Sequence, residues 1–176
     1  MSKINGTILI VEDDKDVLLS ADLFLKRHFQ KVLSLNSPAN IISTIKEHQV
    51  DVILLDMNFS IGENRGEEGI RWLSRLEAEF PEVEVIAMTA YGDIELAVKA
   101  MKYNAAEFIT KPWDNNKLLS TIQSVLQLRI SKKEIAKLRQ TQSFLNQPKK
   151  EEATKLHGRS REIREVRDLA TKVSQT

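Results

Sequence analysis

The stretch Val52-Ile53-Leu54-Leu55-Asp56 decides the fold. Four consecutive apolar residues, two of them β-branched, precede a single carboxylate and then a loop that contains glycine. A short apolar run of this kind is typical of a strand buried on both faces of a parallel sheet. Asp56 is therefore predicted at the carboxyl end of a strand, where open α/β sheets bind their ligands. Aspartate is also common in turns, so whether Asp56 has a functional role depends on which residues end the neighbouring strands.

Outward from this stretch, strand-like and helix-like segments alternate along the chain. The predicted strands cover residues 7–11, 31–35, 52–56, 83–88 and 107–110. Helical periodicity covers residues 14–29, 37–45, 70–76 and 93–103, and it resumes at Asp114. Right-handed helical crossovers join parallel strands into one sheet with helices on both faces. The pattern predicts a doubly wound α/β fold with a five-stranded parallel sheet, followed by a long helical linker.

The composition argues against several functional classes. The 176 residues include 26 Lys+Arg and 25 Asp+Glu, so no overall charge excess favours nucleic acid or an anionic membrane. The absence of cysteine excludes disulfides and thiolate metal sites. No apolar run reaches the ~18 residues that cross a bilayer, and we expect a cytoplasmic protein with no membrane partner. No glycine-rich phosphate loop follows a strand within residues 1–128, which argues against a nucleotide site there.

Polar side chains end four of the predicted strands. They are Glu12 and Asp13, Asp56, Thr89 and Lys111. Carboxylates at one sheet edge form a hard oxygen site, which suits Mg²⁺ better than a softer metal. Asp56 can then act as a nucleophile toward phosphorus, while Thr89 and Lys111 offer a hydroxyl and an ammonium to the phosphoryl oxygens.

Four short motifs carry a family resemblance. Val11-Glu12-Asp13-Asp14, Leu55-Asp56, Met88-Thr89-Ala90 and Thr110-Lys111-Pro112 occur in this order at strand ends. Together they resemble the receiver domain of bacterial response regulators, over about residues 5–128. The resemblance implies a flavodoxin-like receiver fold and a phosphoryl group accepted from a sensor histidine kinase.

The resemblance also implies a magnesium site. Asp13 matches the residue that binds Mg²⁺ directly, and Glu12 the one that binds through water. Asp56 matches the phosphoacceptor and a further ligand, and the backbone carbonyl of Asn58 matches the third protein ligand. Asp14 falls outside this set and is predicted to cap the first helix.

A conformational switch is implied by the remaining matches. Thr89 and Lys111 match the hydroxyl and the lysine that hold the phosphoryl group, and Phe108 matches the aromatic residue whose rotamer follows the hydroxyl. Phosphorylation is then expected to draw Thr89 inward, let Phe108 fill the space and change the surface over residues 93–126.

The loop after Asp56 departs from the family pattern. Receiver domains usually have a proline a few residues after the phosphoacceptor, and this loop has none. The loop from Asp56 to Gly69 is about five residues longer than the corresponding loop of the family pattern. The extra residues, 60–66, lie beside the acceptor and bear on partner access or on the lifetime of the phosphoryl group. The side chains of Asn58 and Tyr91 bear on that lifetime as well.

Residues 129–153 are predicted to form a helical dimerisation linker. An imperfect a/d seam with alternating spacings of three and four supports pairing with a second copy, and a single amphipathic linker helix is the alternative. The seam consists of Leu128, Ser131, Ile135, Leu138, Gln142 and Leu145. We expect a homodimer formed through the face over residues 93–126 together with this helix.

The last segment, residues 154–176, carries a second resemblance. Leu156 to Val173 resembles the first helix of the AAA+ ATPase domain in NtrC-type, sigma-54-dependent activators. A basic amphipathic tail helix that binds an acidic partner is the alternative. The resemblance implies a downstream AAA+ domain and sigma-54 RNA polymerase as partners. Neither a phosphate-binding loop nor a DNA-binding helix-turn-helix is present, so we expect no ATP hydrolysis and no direct DNA contact.

The leading expectation is a phosphorylation-controlled regulatory domain of a two-component response regulator rather than an enzyme. An aspartate-nucleophile phosphohydrolase is one alternative, although that class needs a second aspartate at the position of Asn58. A receiver that serves only as a dimerisation scaffold, independent of phosphorylation, is the other.

Overall fold

A computed structural model describes residues 2–59, 66–90 and 92–145 of the protein. The strands are β1 (Ile4–Val11), β2 (Phe29–Leu35), β3 (Val52–Asp56), β4 (Glu84–Ala90) and β5 (Glu107–Lys111). The helices are α1 (Lys15–His28), α2 (Ile41–Glu47), α3 (Glu67–Glu79), α4 (Ile94–Lys102) and α5 (Asn115–Leu145). A 3₁₀ turn at Pro38–Asn40 leads into α2.

The five strands form one sheet in the order β2-β1-β3-β4-β5. Every neighbouring pair is parallel. This order places β3 at the centre, and it is the flavodoxin-like arrangement of a doubly wound sheet. The fold class predicted from the sequence is confirmed.

Two apolar layers cover the two faces of the sheet. On one face, side chains such as Leu9, Ile53 and Val85 pack with α2, α3 and α4. On the other, Ile8 and Leu54 pack with residues of α1 and α5. Successive residues of a strand point to opposite faces, so both sets must be apolar when helices cover both. This is why β3 is buried at all five positions.

Side-chain caps begin the helices next to the site. Asp14 caps α1, since its carboxylate accepts hydrogen bonds from the backbone N–H groups of Asp16 and Val17. Asp93 caps α4 through the N–H of Leu96. The predicted role of Asp14 as a cap, outside the acidic pair, is confirmed.

Gly69 brings α3 against the backbone that follows β3. A Cβ atom at this position would lie 2.7 Å from Cα of Met57, closer than side chains approach a backbone. Met57 directly follows Asp56, so glycine here lets the first turn of α3 pack beside the site.

Some element boundaries differ from those predicted. β4 continues through Ala90 and β5 through Lys111, so Thr89 and Lys111 lie within strands rather than just beyond them. The apolar pattern ends one or two residues earlier because a strand's last residues reach the polar edge of the sheet. α3 begins at Glu67, three residues before the start of the predicted helical periodicity at residue 70.

α5 runs without a break across the predicted end of the first domain at residue 128. By internal contacts the chain divides after Ala136. The proposed start of an AAA+ domain, residues 154–176, lies outside the described residues, as do residues 60–65 and Tyr91. Among the described helices, none combines the length and the hydrophobicity that crossing a membrane requires.

Candidate functional site

Four strand ends bring the predicted site residues to the same edge of the sheet. Asp56 is the last residue of β3, and Glu12 directly follows β1. Thr89 of β4 lies opposite Thr110, and Ala90 lies opposite Lys111 of β5. The N–H of Met57 donates to the carbonyl of Met88 at 3.0 Å, which extends the β3–β4 pairing to the site. Because the pairing is backbone-determined, the relative positions of these residues follow from the strand register.

Three carboxylates form an acidic cluster, which we define as Glu12, Asp13 and Asp56. One oxygen of each lies within 4.8 Å of the others. Glu12 is 0% and Asp56 1% exposed, whereas Asp13 is open to solvent. The N–H of Asn58 donates to Oδ1 of Asp56 at 3.3 Å. Two of the three charges are therefore held away from water.

Lys111 reaches into the acidic cluster from β5. Its Nζ lies 3.0 Å from both carboxylate oxygens of Glu12 and 3.0 Å from Oδ1 of Asp56. The side chain is 22% exposed. One ammonium thus bridges the two buried carboxylates through charge-assisted bonds.

Burial dominates the electrostatics of Glu12. Loss of hydration, followed by the nearby charge of Asp56, raises the pKa of Glu12 from 4.5 to about 7. The bonds from Lys111 act in the opposite direction and only partly offset this effect. Near neutral pH, Glu12 is balanced between its protonated and ionised forms.

The same forces act on Asp56 and Lys111. Burial raises the pKa of Asp56, and the charge and hydrogen bond of Lys111 oppose that rise. Burial would by itself lower the pKa of Lys111, but Asp56 and Glu12 together raise it. Lys111 is therefore a firm cation, and it favours the ionised form of Asp56.

The donor set of the acidic cluster fits a magnesium ion. Lys111 pairs with two of the three carboxylates, Glu12 and Asp56, so the described cluster carries an excess of negative charge when all three acids are ionised. All three acidic side chains offer hard oxygen ligands, the kind that Mg²⁺ binds together with water. The exposure of Asp13 gives the cluster an open side toward solvent.

Thr89 is buried beside this cluster in the strand pairing, and its hydroxyl is unusual. The residue is 0% exposed, and within the described part of the chain its Oγ1 has no hydrogen-bond partner. A buried polar atom without a partner costs about 1–3 kcal/mol, so native proteins retain few of them. The hydroxyl of Thr89 is therefore available as a donor to a group bound at this edge of the sheet.

Phe108 lines a groove between β5 and α4, which we call the α4 groove. The groove has a volume of about 370 Å³. The side chain of Phe108 is 37% exposed, and across the groove Ile94 is 73% exposed. Its lining residues are Gly92, Asp93, Ile94, Ala97, Val98, Met101, Lys102, Phe108 and Thr110. Phe108 therefore occupies an outward position in this structure.

The structure brings together the predicted residues Glu12, Asp13, Asp56 and Lys111, and it keeps Phe108 at the surface. Sequence reasoning missed the ion pair between Lys111 and Glu12. These residues lie 99 positions apart, and only their common sheet edge signalled proximity. The carboxylate positions alone also did not reveal that Asp13 is exposed while Glu12 is buried.

The protein contains a flavodoxin-like α/β domain. An acidic cluster and a lysine lie together at the carboxyl edge of its sheet, as in a domain that binds a metal ion and a phosphoryl group. Residues 8–123 match the sequence profile of the response regulator receiver domain. The chain belongs to this family, and residues 8–123 form the receiver domain of a two-component response regulator.

Similarity to known proteins agrees with that assignment. The chain is 29% identical over 126 residues to the transcriptional regulatory protein ZraR of Escherichia coli K12, covering 72% of this chain and 27% of ZraR. The crystal structure of a response regulator's N-terminal signal receiver domain from Bacteroides fragilis superposes with a TM-score of 0.63 at 42% identity, over 70% of this chain and 98% of that one. The solution structure of the beryllofluoride-activated NtrC4 receiver domain dimer superposes with a TM-score of 0.62 at 26% identity, over 70% and 98%.

The match to longer proteins is partial. The chain spans 27% of the length of ZraR and 67% of the length of the probable C4-dicarboxylate response regulator DctR of Priestia megaterium.

Proposed function

We propose that Asp56 accepts a phosphoryl group from the phosphohistidine of a sensor kinase and that this modification controls assembly of the protein. The single observation that carries the proposal is the arrangement of Lys111 and the acidic cluster around Asp56 at the carboxyl edge of the sheet. Lys111 contacts Oδ1 of Asp56 and can keep that contact when the other carboxylate oxygen is modified.

The proposed reaction transfers one phosphoryl group. Oδ1 of Asp56 already accepts bonds from Lys111 and Asn58, so we assign the attack on phosphorus to Oδ2. The new P–O bond forms as the P–N bond of the phosphohistidine breaks. The imidazole nitrogen keeps the electron pair and is protonated as it leaves. The product is an acyl phosphate, which carboxylate nucleophiles also form in other phosphoryl transfers.

Glu12, Asp13, Asp56 and the backbone carbonyl of Asn58 are the proposed ligands of Mg²⁺. When bound, the ion supplies positive charge that offsets the carboxylates and the phosphoryl oxygens. The excess acidic charge of the cluster supports this assignment. Lys111 bonds a phosphoryl oxygen after transfer, since its ammonium already lies 3.0 Å from Asp56.

Thr89 and Phe108 are the proposed switch. The unpartnered Oγ1 of Thr89 gains a hydrogen bond when phosphoryl oxygens are attached to Asp56. Movement of Thr89 opens space within β4, and Phe108 of the neighbouring strand turns inward to fill it. The α4 groove then changes shape, because Phe108 forms part of its wall.

The α4 groove and α5 are the proposed surfaces for a second copy of the chain. The groove exposes Ile94, Val98 and Met101, and Leu128, Ile135 and Leu138 are exposed along α5. The NtrC4 receiver forms a dimer in its beryllofluoride-activated state, which supports assembly through a comparable domain.

A sigma-54-dependent activator is the proposed context of the domain. The resemblance of residues 154–176 to the start of an AAA+ domain supports it, as does similarity to a transcriptional regulatory protein over the receiver region. In this context the receiver is a cytoplasmic regulatory module, and ATP hydrolysis and contact with sigma-54 RNA polymerase belong to the downstream AAA+ domain.

Phosphoryl transfer is tested by incubating the protein with Mg²⁺ and radiolabelled acetyl phosphate or a phosphorylated kinase. We expect wild-type protein to be labelled and Asp56→Asn to remain unlabelled. Asp16→Asn is the matched control, because Asp16 is an exposed carboxylate in the first turn of α1, outside the acidic cluster. Label retained in Asp56→Asn refutes the proposal, and far-UV circular dichroism verifies that both variants fold.

The switch and the scaffold alternative are separated by sedimentation with and without beryllofluoride. A phosphorylation-controlled domain changes its association state when this phosphoryl mimic is added with Mg²⁺. Unchanged sedimentation assigns the protein to the scaffold class.

A further inference from the structure

α5 leaves the apolar core after Leu126. Its buried residues are Leu118, Ile122, Val125 and Leu126. Among residues 127–142, whose side chains the structure describes, Arg129 alone is not exposed. A helix with no buried apolar face gains little from packing and depends on other contacts for its position.

Arg129 forms two contacts with the amino edge of the sheet. Its NH1 lies 2.7 Å from Oδ1 of Asp51, and its Nε donates to the carbonyl of Glu82 at 2.9 Å. The guanidinium is 17% exposed and Asp51 is 22% exposed, so water screens the pair only in part. The two donors of one rigid group fix both the distance and the angle of the helix.

Asp51 is itself held by two strands. Its Oδ2 accepts a hydrogen bond from the N–H of Thr7 at 2.8 Å, and its own N–H donates to the carbonyl of Thr7 at 2.9 Å. Its carbonyl accepts from the N–H of Glu84 at 3.2 Å. The acceptor that Arg129 uses is therefore a fixed part of the sheet rather than a mobile surface carboxylate.

Lys132 adds a contact one turn further along α5. Its Nζ lies 2.7 Å from Oε1 of Glu84. The Glu84 side chain is only 7% exposed, whereas that of Lys132 is 58% exposed. Positions three apart lie on one face of a helix, so Arg129 and Lys132 contact the same edge of the sheet.

We infer that Arg129 and Lys132, with Asp51, Glu82 and Glu84, form a polar latch that fixes the direction in which α5 leaves the domain. The latch replaces apolar packing over the helical turn that follows Leu126. It also sets which way the exposed residues Leu128 and Ile135 face. Arg129 and Lys132 are positioning residues, and this role goes beyond phosphorylation of Asp56 and does not depend on it.

Hydrogen exchange tests the latch in the full chain. Arg129→Ala combined with Lys132→Ala should raise amide exchange over residues 130–136 at least roughly tenfold, which corresponds to about 1.4 kcal/mol. Exchange in β1, β3 and β4 should not change. Lys133→Ala is the matched control, because Lys133 is an exposed lysine on the same helix. Equal exchange in the double variant and the control overturns the inference.

Charge exchange separates a direct contact from a general loss of helix stability. Lys132→Glu and Glu84→Lys should each raise exchange over residues 130–136, and the two combined should restore protection. The role of this pair is overturned if both single variants lose protection, the rest of the domain remains folded, and the double variant does not regain protection over residues 130–136.

Direction is measured with two spin labels. The chain has no cysteine, so Lys46→Cys in α2 and Lys133→Cys in α5 can be labelled selectively. Both lysines are exposed and outside the latch. The distance distribution should be narrow with the latch intact and broaden when Arg129→Ala and Lys132→Ala are added. An unchanged distribution contradicts a latch that sets helix direction.

Discussion

Glu12 provides a quantitative test of the electrostatics of the site. Its carboxyl is fully buried, and its pKa lies at about 7 instead of 4.5. Glu12→Gln replaces the group with a neutral side chain of nearly the same shape. The substitution should therefore stabilise the protein wherever native Glu12 is forced to ionise.

The sign follows from the two pKa values. Well below pH 4.5 the carboxyl is protonated in both the folded and unfolded chains, so ionisation of Glu12 has no effect on stability. As the pH rises toward 7, the unfolded chain releases this proton first, and the free energy of unfolding falls. Well above pH 7, where Glu12 is ionised in both states, the loss is complete, and the pKa difference corresponds to about 3 kcal/mol.

Urea denaturation at pH 5 and pH 8, in the presence of a chelator, measures this effect. At pH 8 we expect Glu12→Gln to unfold with a free energy about 2–3 kcal/mol higher than wild type, and at pH 5 the gain should mostly vanish. For a domain of this size the gain at pH 8 corresponds to roughly 10 °C in Tm. Glu134→Gln, an exposed change on α5, should have no comparable effect. A Glu12→Gln variant less stable than wild type at pH 8 refutes the reasoning.

Three further predictions follow from the same site. Mg²⁺ at 100 times its Kd should raise the free energy of unfolding of wild type by about 2.7 kcal/mol. Urea denaturation should show that Asp13→Asn loses most of this stabilisation and that the control Asp16→Asn keeps it. Thr89→Val should raise stability by about 1 kcal/mol in urea denaturation, because it removes an unpartnered buried hydroxyl, and it should abolish the beryllofluoride-induced change in the NMR signals of Phe108. Lys111→Met should lower the free energy of unfolding at pH 8 by about 3 kcal/mol, because two buried carboxylates lose their cation, and by less at pH 5, where Glu12 is protonated. The first prediction is contradicted if Asp13→Asn keeps the full stabilisation by Mg²⁺. The second is contradicted if beryllofluoride still changes the Phe108 signals in Thr89→Val, and the third if Lys111→Met is more stable than wild type at pH 8.

The sequence predicted the sheet because its strands are short, apolar and uninterrupted. β3 has the predicted bounds, Val52–Asp56, since four apolar residues buried on both faces are followed directly by one carboxylate that ends the strand. The convergence of Asp56 and Lys111 also followed from sequence, because the carboxyl ends of parallel strands share one edge.

Side-chain pairing across long separations was not predictable in the same way. The bond from Lys111 to Glu12 depends on rotamers and burial, which periodicity does not report. The contact of Arg129 with Asp51 requires α5 to lie over the amino ends of β1 and β3, and the local sequence around Arg129 reads only as a basic helix face. The exposed position of Phe108 likewise depends on the packing of α4 against β5.

The most direct test of the central claim is to locate the modified residue chemically. After reaction with acetyl phosphate and Mg²⁺, reduction with borohydride converts an aspartyl phosphate to homoserine, and peptide mass spectrometry identifies its position. We predict homoserine at position 56 alone, and none when Mg²⁺ is chelated or Asp56→Asn is used. Homoserine at Asp13 or elsewhere, or no conversion in protein that carries the label, would contradict the assignment of Asp56 as the phosphoacceptor.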